Sequence, residues 1–134
     1  MEHPHIDLMR RYSAALVAGD AAAALPFYAE DLVLHIPGTS PHAGTYRGQE
    51  AVLEYYTRVF RDTNGGLEVL GVDDHLASDR HTAALVRWRL HRNGQTLDID
   101  RVVIYRIVDG RIAEIWVRDW DQAAYDAFFA DAPA

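Results

Sequence analysis

Four side chains in this sequence have the chemistry to move a proton or to hold developing charge: Tyr12, His35, Arg101 and Asp119. Asp119 ends the alternating stretch 111–118 and shares strand parity with Ile115 and Val117. A carboxylate on that face would be partly desolvated, which raises its pKa toward a working acid–base range. It also stands just before a helical stretch, so a helix cap is the competing reading, although Asp121 is better placed to cap. Arg101 shares parity with Ile99, Val103 and Tyr105. Facing inward it needs a carboxylate partner, and Asp119 on the adjacent strand is the candidate. Facing outward it would form a solvated cross-strand pair of little energetic consequence. His35 is a candidate because a histidine's unperturbed pKa, about 6.5, suits general acid–base work. Strand alternation puts Leu32, Leu34 and Ile36 on one face and Val33 and His35 on the other. With Ile36 inward His35 faces away, and a bulge near Pro37 would exchange them. Tyr12 lies at the edge of the apolar face of the first helix, between Leu8 and Leu16. Its phenol is neutral at pH 7 and a strong donor. The alternative is a packed ring with a wet hydroxyl.

Other residue sets carry weaker chemistry. Trp88 shares a strand face with Ala84, Val86 and Leu90, and Trp116 lies opposite Ile115 and Val117. Arg87, Arg89 and His91 form the reverse stripe of the Trp88 strand, the pattern of a wet sheet face or of a subunit interface. Asp73, Asp74, His75 and His81 have no ligand-motif spacing, and His3 and His5 fall in a terminus expected to fray, so no metal is expected. There is no nucleophile elbow, phosphate loop or dinucleotide fingerprint, and no cofactor is expected.

The elements that must position these groups can be read from periodicity. Residues 6–18 predict a helix with Ile6, Met9, Ser13, Leu16 and Val17 on one face. Gly19 caps it, Asp20 suits the start of a second short helix, and Pro26 limits that helix. Residues 32–36 read as a short strand, 39–48 as a loop, and 49–60 as a third helix with Val52, Tyr56, Val59 and Phe60 as its stripe. Asn64-Gly65-Gly66 is a turn. Four long strands follow at 67–77, 81–92, 95–108 and 111–118. Asn93-Gly94 and Asp109-Gly110 favour positive φ and predict tight hairpins between them. A last helix covers 121–130. Helices followed by a meander define an α+β fold: a curved, cone-shaped antiparallel sheet, mixed at one edge, against three N-terminal helices and a short C-terminal one. A strongly curved sheet leaves a hollow suited to a small ligand. The expected lining is Ile36, Tyr56, Trp88, Val103, Tyr105, Ile115 and Val117.

The chain has 134 residues, no cysteine and a net charge of −7. That length fits one domain, residues 1–134, which buries enough surface to fold without disulfide or metal. The acidic balance argues against a nucleic-acid partner. The N-terminal residues lack an apolar core of signal-peptide length and no stretch is long enough to span a bilayer, so no membrane association is expected. Lack of cysteine suits a cytoplasmic location.

Several motifs resemble the SnoaL-like branch of the superfamily that includes ketosteroid isomerase, limonene epoxide hydrolase and nuclear transport factor two. They are Arg11-Tyr12, Ala18-Gly19-Asp20, Phe27-Tyr28-Ala29-Glu30-Asp31, His35-Ile36-Pro37-Gly38, Gly44-Thr45-Tyr46-Arg47-Gly48, Asp109-Gly110-Arg111-Ile112-Ala113-Glu114, and the run from Asp121 to Phe129. The resemblance covers nearly the whole chain. It implies that Tyr12 donates a hydrogen bond to a developing oxyanion, the role of a tyrosine in ketosteroid isomerase; the acid–base pattern of that enzyme is well described. The isomerase base would fall at Ile36 and its protonated aspartate near Val103, and neither residue can act. In SnoaL-type polyketide cyclases an aspartate in the region of Asp119 is the proposed acid–base residue. Limonene epoxide hydrolase resembles the Arg101–Asp119 arrangement, but its middle aspartate would fall near Val103. The resemblance therefore implies a cofactor-independent isomerase- or cyclase-like acid–base enzyme for a small apolar carbonyl or polyketide-like compound. Its alternatives are a non-catalytic binding or interaction module and an epoxide hydrolase-like variant. It also implies a homodimer through the sheet.

Overall fold

The structure is a computed structural model that describes residues 2–19, 21–64 and 66–133. Helix α1 spans Pro4–Val17, α2 Ala21–Ala24, and a 3-10 turn Leu25–Phe27 leads into β1, Tyr28–Ile36. Then come β2 (Gly44–Arg47), α3 (Gln49–Asp62), β3 (Leu67–Ala77), β4 (His81–Arg92), β5 (Gln95–Val108), β6 (Arg111–Asp119) and α4 (Gln122–Phe128). The strands form one sheet in the order β2-β1-β6-β5-β4-β3. Every neighbouring pair is antiparallel except β1 with β6, which run parallel. This is the expected α+β cone, mixed where the N-terminal strand joins the meander. Asp20 and Gly65, read above as a cap and a turn residue, lie outside the described residues.

Local chemistry explains most boundaries. Pro4 opens α1, where its missing N–H costs nothing. His3 is not frayed: its Nδ1 accepts from the His5 N–H at 3.1 Å, and its Nε2 lies 2.8 Å from Asp79. Gly19, at φ +70°, ends the helix in the left-handed conformation. Asn93 and Asp109 sit at φ +51° before Gly94 and Gly110, as the two tight hairpins require. Residues 44–47, read as loop, form the edge strand β2 because β1 offers a ladder from Val33 to Ile36.

Helix α1 is rotated from its expected face. Ile6, Met9, Tyr12 and Ala15 are buried, whereas Val17 is 55% exposed. In α3 the buried residues are Val52, Tyr55, Val59 and Asp62, and Phe60 is exposed. The concave face of the sheet carries Leu34 and Ile36 from β1, Ala84 and Val86 from β4, Arg101, Val103 and Tyr105 from β5, and Ile115 and Val117 from β6, all buried. A register shift near Ala113 turns both Ile112 and Ile115 inward, so β6 keeps its apolar face through the bulge.

Candidate ligand pocket

Helices α1 and α3 lie over the concave face, and a cavity of about 380 Å³ opens between them and the start of β3. Leu16, Tyr28, Tyr56, Phe60, Val69 and Trp88 are among the residues that line it. That volume lies in the range of small-molecule sites. Most of its wall is hydrocarbon and aromatic ring, and Tyr28, Tyr56, Thr57 and Glu68 are the side chains along it that carry polar atoms.

Behind Tyr28 the interior is filled by tyrosines. The Tyr12 and Tyr28 hydroxyls are 2.7 Å apart, one donating to the other. Tyr12 packs edge-on against Phe27, Tyr28 and Tyr105, with centroids 5.6–5.8 Å apart. It is 1% exposed, so its hydroxyl is not wet. Burial raises the pKa of Tyr12, Tyr28, Tyr56 and Tyr105, which keeps them neutral donors.

Arg101 faces inward and is 4% exposed. Its Nε and one terminal nitrogen donate to the two oxygens of Asp119 at 2.7 and 3.2 Å, a bidentate pair between residues in direct register on β5 and β6. The guanidinium carbon lies 4.5 Å from the Trp88 ring centroid and 5.5 Å from that of Tyr125. Burial opposes its charge, but the Asp119 carboxylate more than compensates and its pKa is raised. Trp88 thus has the buried ion pair behind it and the cavity before it. Asp121 caps α4 by accepting from the Ala124 N–H at 3.0 Å, which leaves Asp119 to Arg101.

The residues singled out from the sequence therefore divide. Trp88 and Tyr56 border the cavity. Arg101 and Asp119 meet behind Trp88, and Tyr12 meets Tyr28. Ile36, Val103, Tyr105, Ile115 and Val117 face inward as expected of them, but they are not among the residues that line this cavity. Aromatic rings, Tyr12 and Tyr105 among them, occupy the space in front of the sheet. His35 is on the convex face, as strand parity without a bulge requires, so it does not join the catalytic set expected for it. There its Nε2 pairs with Glu114 at 2.5 Å and its ring stacks on Trp116, with centroids 5.6 Å apart. The His35 hydrogen bond is the main cause of a lowered Glu114 pKa.

One polar group was not anticipated. His42 is fully buried between the end of α3 and α4; its Nε2 is 2.6 Å from Asp62 and its Nδ1 is 2.8 Å from the Tyr125 hydroxyl. Arg61 donates to the other Asp62 oxygen at 2.9 Å. A histidine in a polar loop and an aspartate in a helix's last turn carry no periodicity that would join them. Among the described residues, no group of three His, Cys, Asp or Glu gathers to hold a metal. No helix there is long and apolar enough to cross a membrane.

A six-stranded curved sheet closed by helices is the architecture of the cone folds that include nuclear transport factor two. The SnoaL-like domain matches residues 9–115. The chain belongs to the SnoaL-like family. It is 30% identical over 125 residues to an uncharacterised protein of Mycobacterium tuberculosis, covering 93% of this chain and 95% of that one. A protein of unknown function with a cystatin-like fold from Xanthomonas campestris is similar in structure, with a TM-score of 0.86 and 31% identity over 92% of this chain and 96% of that one. An NTF2-like protein of unknown function from Burkholderia pseudomallei shares the fold at 20% identity and a TM-score of 0.80, covering 96% of this chain and 98% of that chain.

Proposed function

We propose that this SnoaL-like protein binds a small, largely apolar organic molecule with a carbonyl or phenol oxygen in the cavity between α1, α3 and β3. The observation that carries the reading is the cavity itself, a mostly hydrocarbon-walled space of about 380 Å³ with Tyr28 and Tyr56 in its lining. A neutral phenol already hydrogen-bonded to a second phenol is a preorganised donor for such an oxygen. Trp88 supplies a flat surface for the body of the ligand.

An isomerase- or cyclase-like acid–base reaction is the second reading, and the Arg101–Asp119 pair favours it. In that reaction Asp119 takes a proton from carbon next to the carbonyl. The C–H electrons move to the carbonyl oxygen as an enolate, which the tyrosine hydroxyls hold. Asp119 then returns the proton to carbon, or the enolate carbon attacks a second carbonyl, whose π electrons move to oxygen as an alkoxide that takes the proton from Asp119. Asp119 is enclosed by Arg101, so the substrate would have to reach it past Trp88. Epoxide hydrolysis is less well supported, because Val103 stands where a further aspartate would be needed.

Quenching of tryptophan fluorescence by a panel of naphthols and aryl ketones tests binding. Trp88→Phe should remove the quenching, and quenching that persists in that variant would place the ligand elsewhere. Hydrogen–deuterium exchange beside the ketone, followed by NMR, tests catalysis. Exchange should be lost in both Asp119→Asn and Tyr12→Phe, and equal exchange in the wild type and both variants would leave binding alone.

The partner in this proposal is a second copy of the chain, docked through the convex sheet face. Val102, Ile104 and Trp116 are half-buried there. Arg87–Asp100 and Arg89–Asp98 pairs stand beside them at 2.9 and 2.8 Å. Alternating charge of this kind is self-complementary about a two-fold axis.

A further inference from the structure

His42 joins three segments that are far apart in the chain. It belongs to the connector between β1 and β2, Asp62 ends α3, and Tyr125 lies in α4. The hydrogen bonds suit a neutral ring. With His42 neutral, Tyr125 O–H donates to Nδ1 and Nε2–H donates to Asp62, so both ring nitrogens are satisfied. The surrounding contacts tie the same segments. Ser40 N–H donates to Asp126 at 3.2 Å, Arg58 to the Pro41 carbonyl at 2.8 Å, and Tyr46 O–H to the His42 carbonyl at 2.5 Å. Gly38 packs against Gln122 and Asp126 so closely that a Cβ would collide with both.

A proton on Nδ1 breaks this arrangement in two ways. It sets a second donor against the Tyr125 O–H, which must turn away inside a packed cluster. It also puts a charge into a site whose burial disfavours one. Arg58 and Arg61 of α3 are the cations that act on the ring, with Arg92 of β4 on the Asp62 backbone carbonyl at 3.0 Å. Asp62 is the facing anion, and it already serves Arg61; Asp126 of α4 accepts from Ser40 and Gln122. Tyr46, Tyr55, Tyr125 and Phe129 complete the enclosure without charge.

We propose that Asp62, His42 and Tyr125 form an acid-released latch, in which neutral His42 clamps the 37–43 connector and α4 to the end of α3, and protonation frees both. Release exposes Arg101 from the Tyr125 side, opposite the Trp88 wall of the cavity. The latch does not depend on the ligand reading, because it acts in the empty protein. The direction of titration agrees with it. Burial is the largest influence on His42 and lowers its pKa, outweighing the opposing pull of Asp62, so the latch is closed at neutral pH and opens below the ordinary histidine range.

Two measurements on the ligand-free wild type test it. Long-range proton–nitrogen NMR should show His42 at pH 7.5 as the neutral Nε2–H form. Hydrogen exchange, corrected for intrinsic rate, should accelerate at residues 38–43 and 122–129 as pH falls below 6.5, by up to about tenfold per pH unit, while β4 and β5 stay protected. Asp62→Asn, which removes the anion that steadies imidazolium in the closed site, should carry the acceleration on to lower pH before it levels off and so enlarge the total acid effect, and His42→Gln should abolish the pH dependence. A protonated His42 at pH 7.5 would overturn the latch. So would acid exchange that rises equally in β4 and β5, or a total acid effect in Asp62→Asn no larger than in the wild type.

Discussion

Replacing Asp119 by asparagine isolates the buried ion pair. Both side chains of the pair are 3% exposed, so Arg101 has no water to turn to when its partner loses charge. The asparagine amide also sets N–H donors against one arm of the guanidinium, so at most one of the two present hydrogen bonds can survive. The Trp88 and Tyr125 rings remain over Arg101 in the variant, so their contribution cancels in the comparison. Leaving a buried charge unpaired costs about 3–5 kcal/mol, a large part of the roughly 5–15 kcal/mol that holds a domain folded. The expected loss is about 3 kcal/mol, read from the urea midpoint at unchanged slope. The double variant Arg101→Met/Asp119→Leu removes both charges and should recover most of it. A loss below about 1 kcal/mol in Asp119→Asn, the size expected of a solvated pair, would refute the reasoning. A double variant less stable than the single would refute it too.

Two further outcomes follow from the surroundings of the site. Gly38→Ala meets Asp126 and Gln122 and strains a backbone at φ +97°, so thermal or urea unfolding should show a loss of about 2–3 kcal/mol. Ile104→Glu on the convex face should leave the fold intact by circular dichroism and convert a dimer to a monomer in sedimentation equilibrium; an unchanged mass would rule out that face.

The parts of this structure visible in the sequence are those set by local period and turn chemistry. Alternation along β1, β4, β5 and β6 correctly separates Ile36 from His35 and groups Trp88 with Val86 and Leu90. Asn93-Gly94 and Asp109-Gly110 mark their hairpins because few other pairs accept two positive φ angles. What escaped depends on contacts between distant segments. The strand β2 has only four residues and owes its conformation to β1. The cavity is displaced toward α1, α3 and β3 because bulky tyrosines occupy the space before Val103 and Ile115, a volume effect that no periodicity reports. Asp62 sits on the helix face that periodicity assigns to apolar residues, and His42 makes that position tolerable.

The parallel pairing of β1 with β6 also bears on how the molecule is made. His35 is in register with Trp116, and Leu34 with Ile115. Residues from opposite halves of the chain must therefore meet before the centre of the sheet exists. During synthesis β1 emerges early with its apolar face, Leu32, Leu34 and Ile36, and its final neighbour has yet to be translated. β2 can cover only one edge in that interval. Such long-range pairing slows folding and leaves a hydrophobic strand edge exposed to other nascent chains. A chain cut short before β6 would lack the strand that joins its two halves, and would carry an adhesive edge in place of a sheet interior.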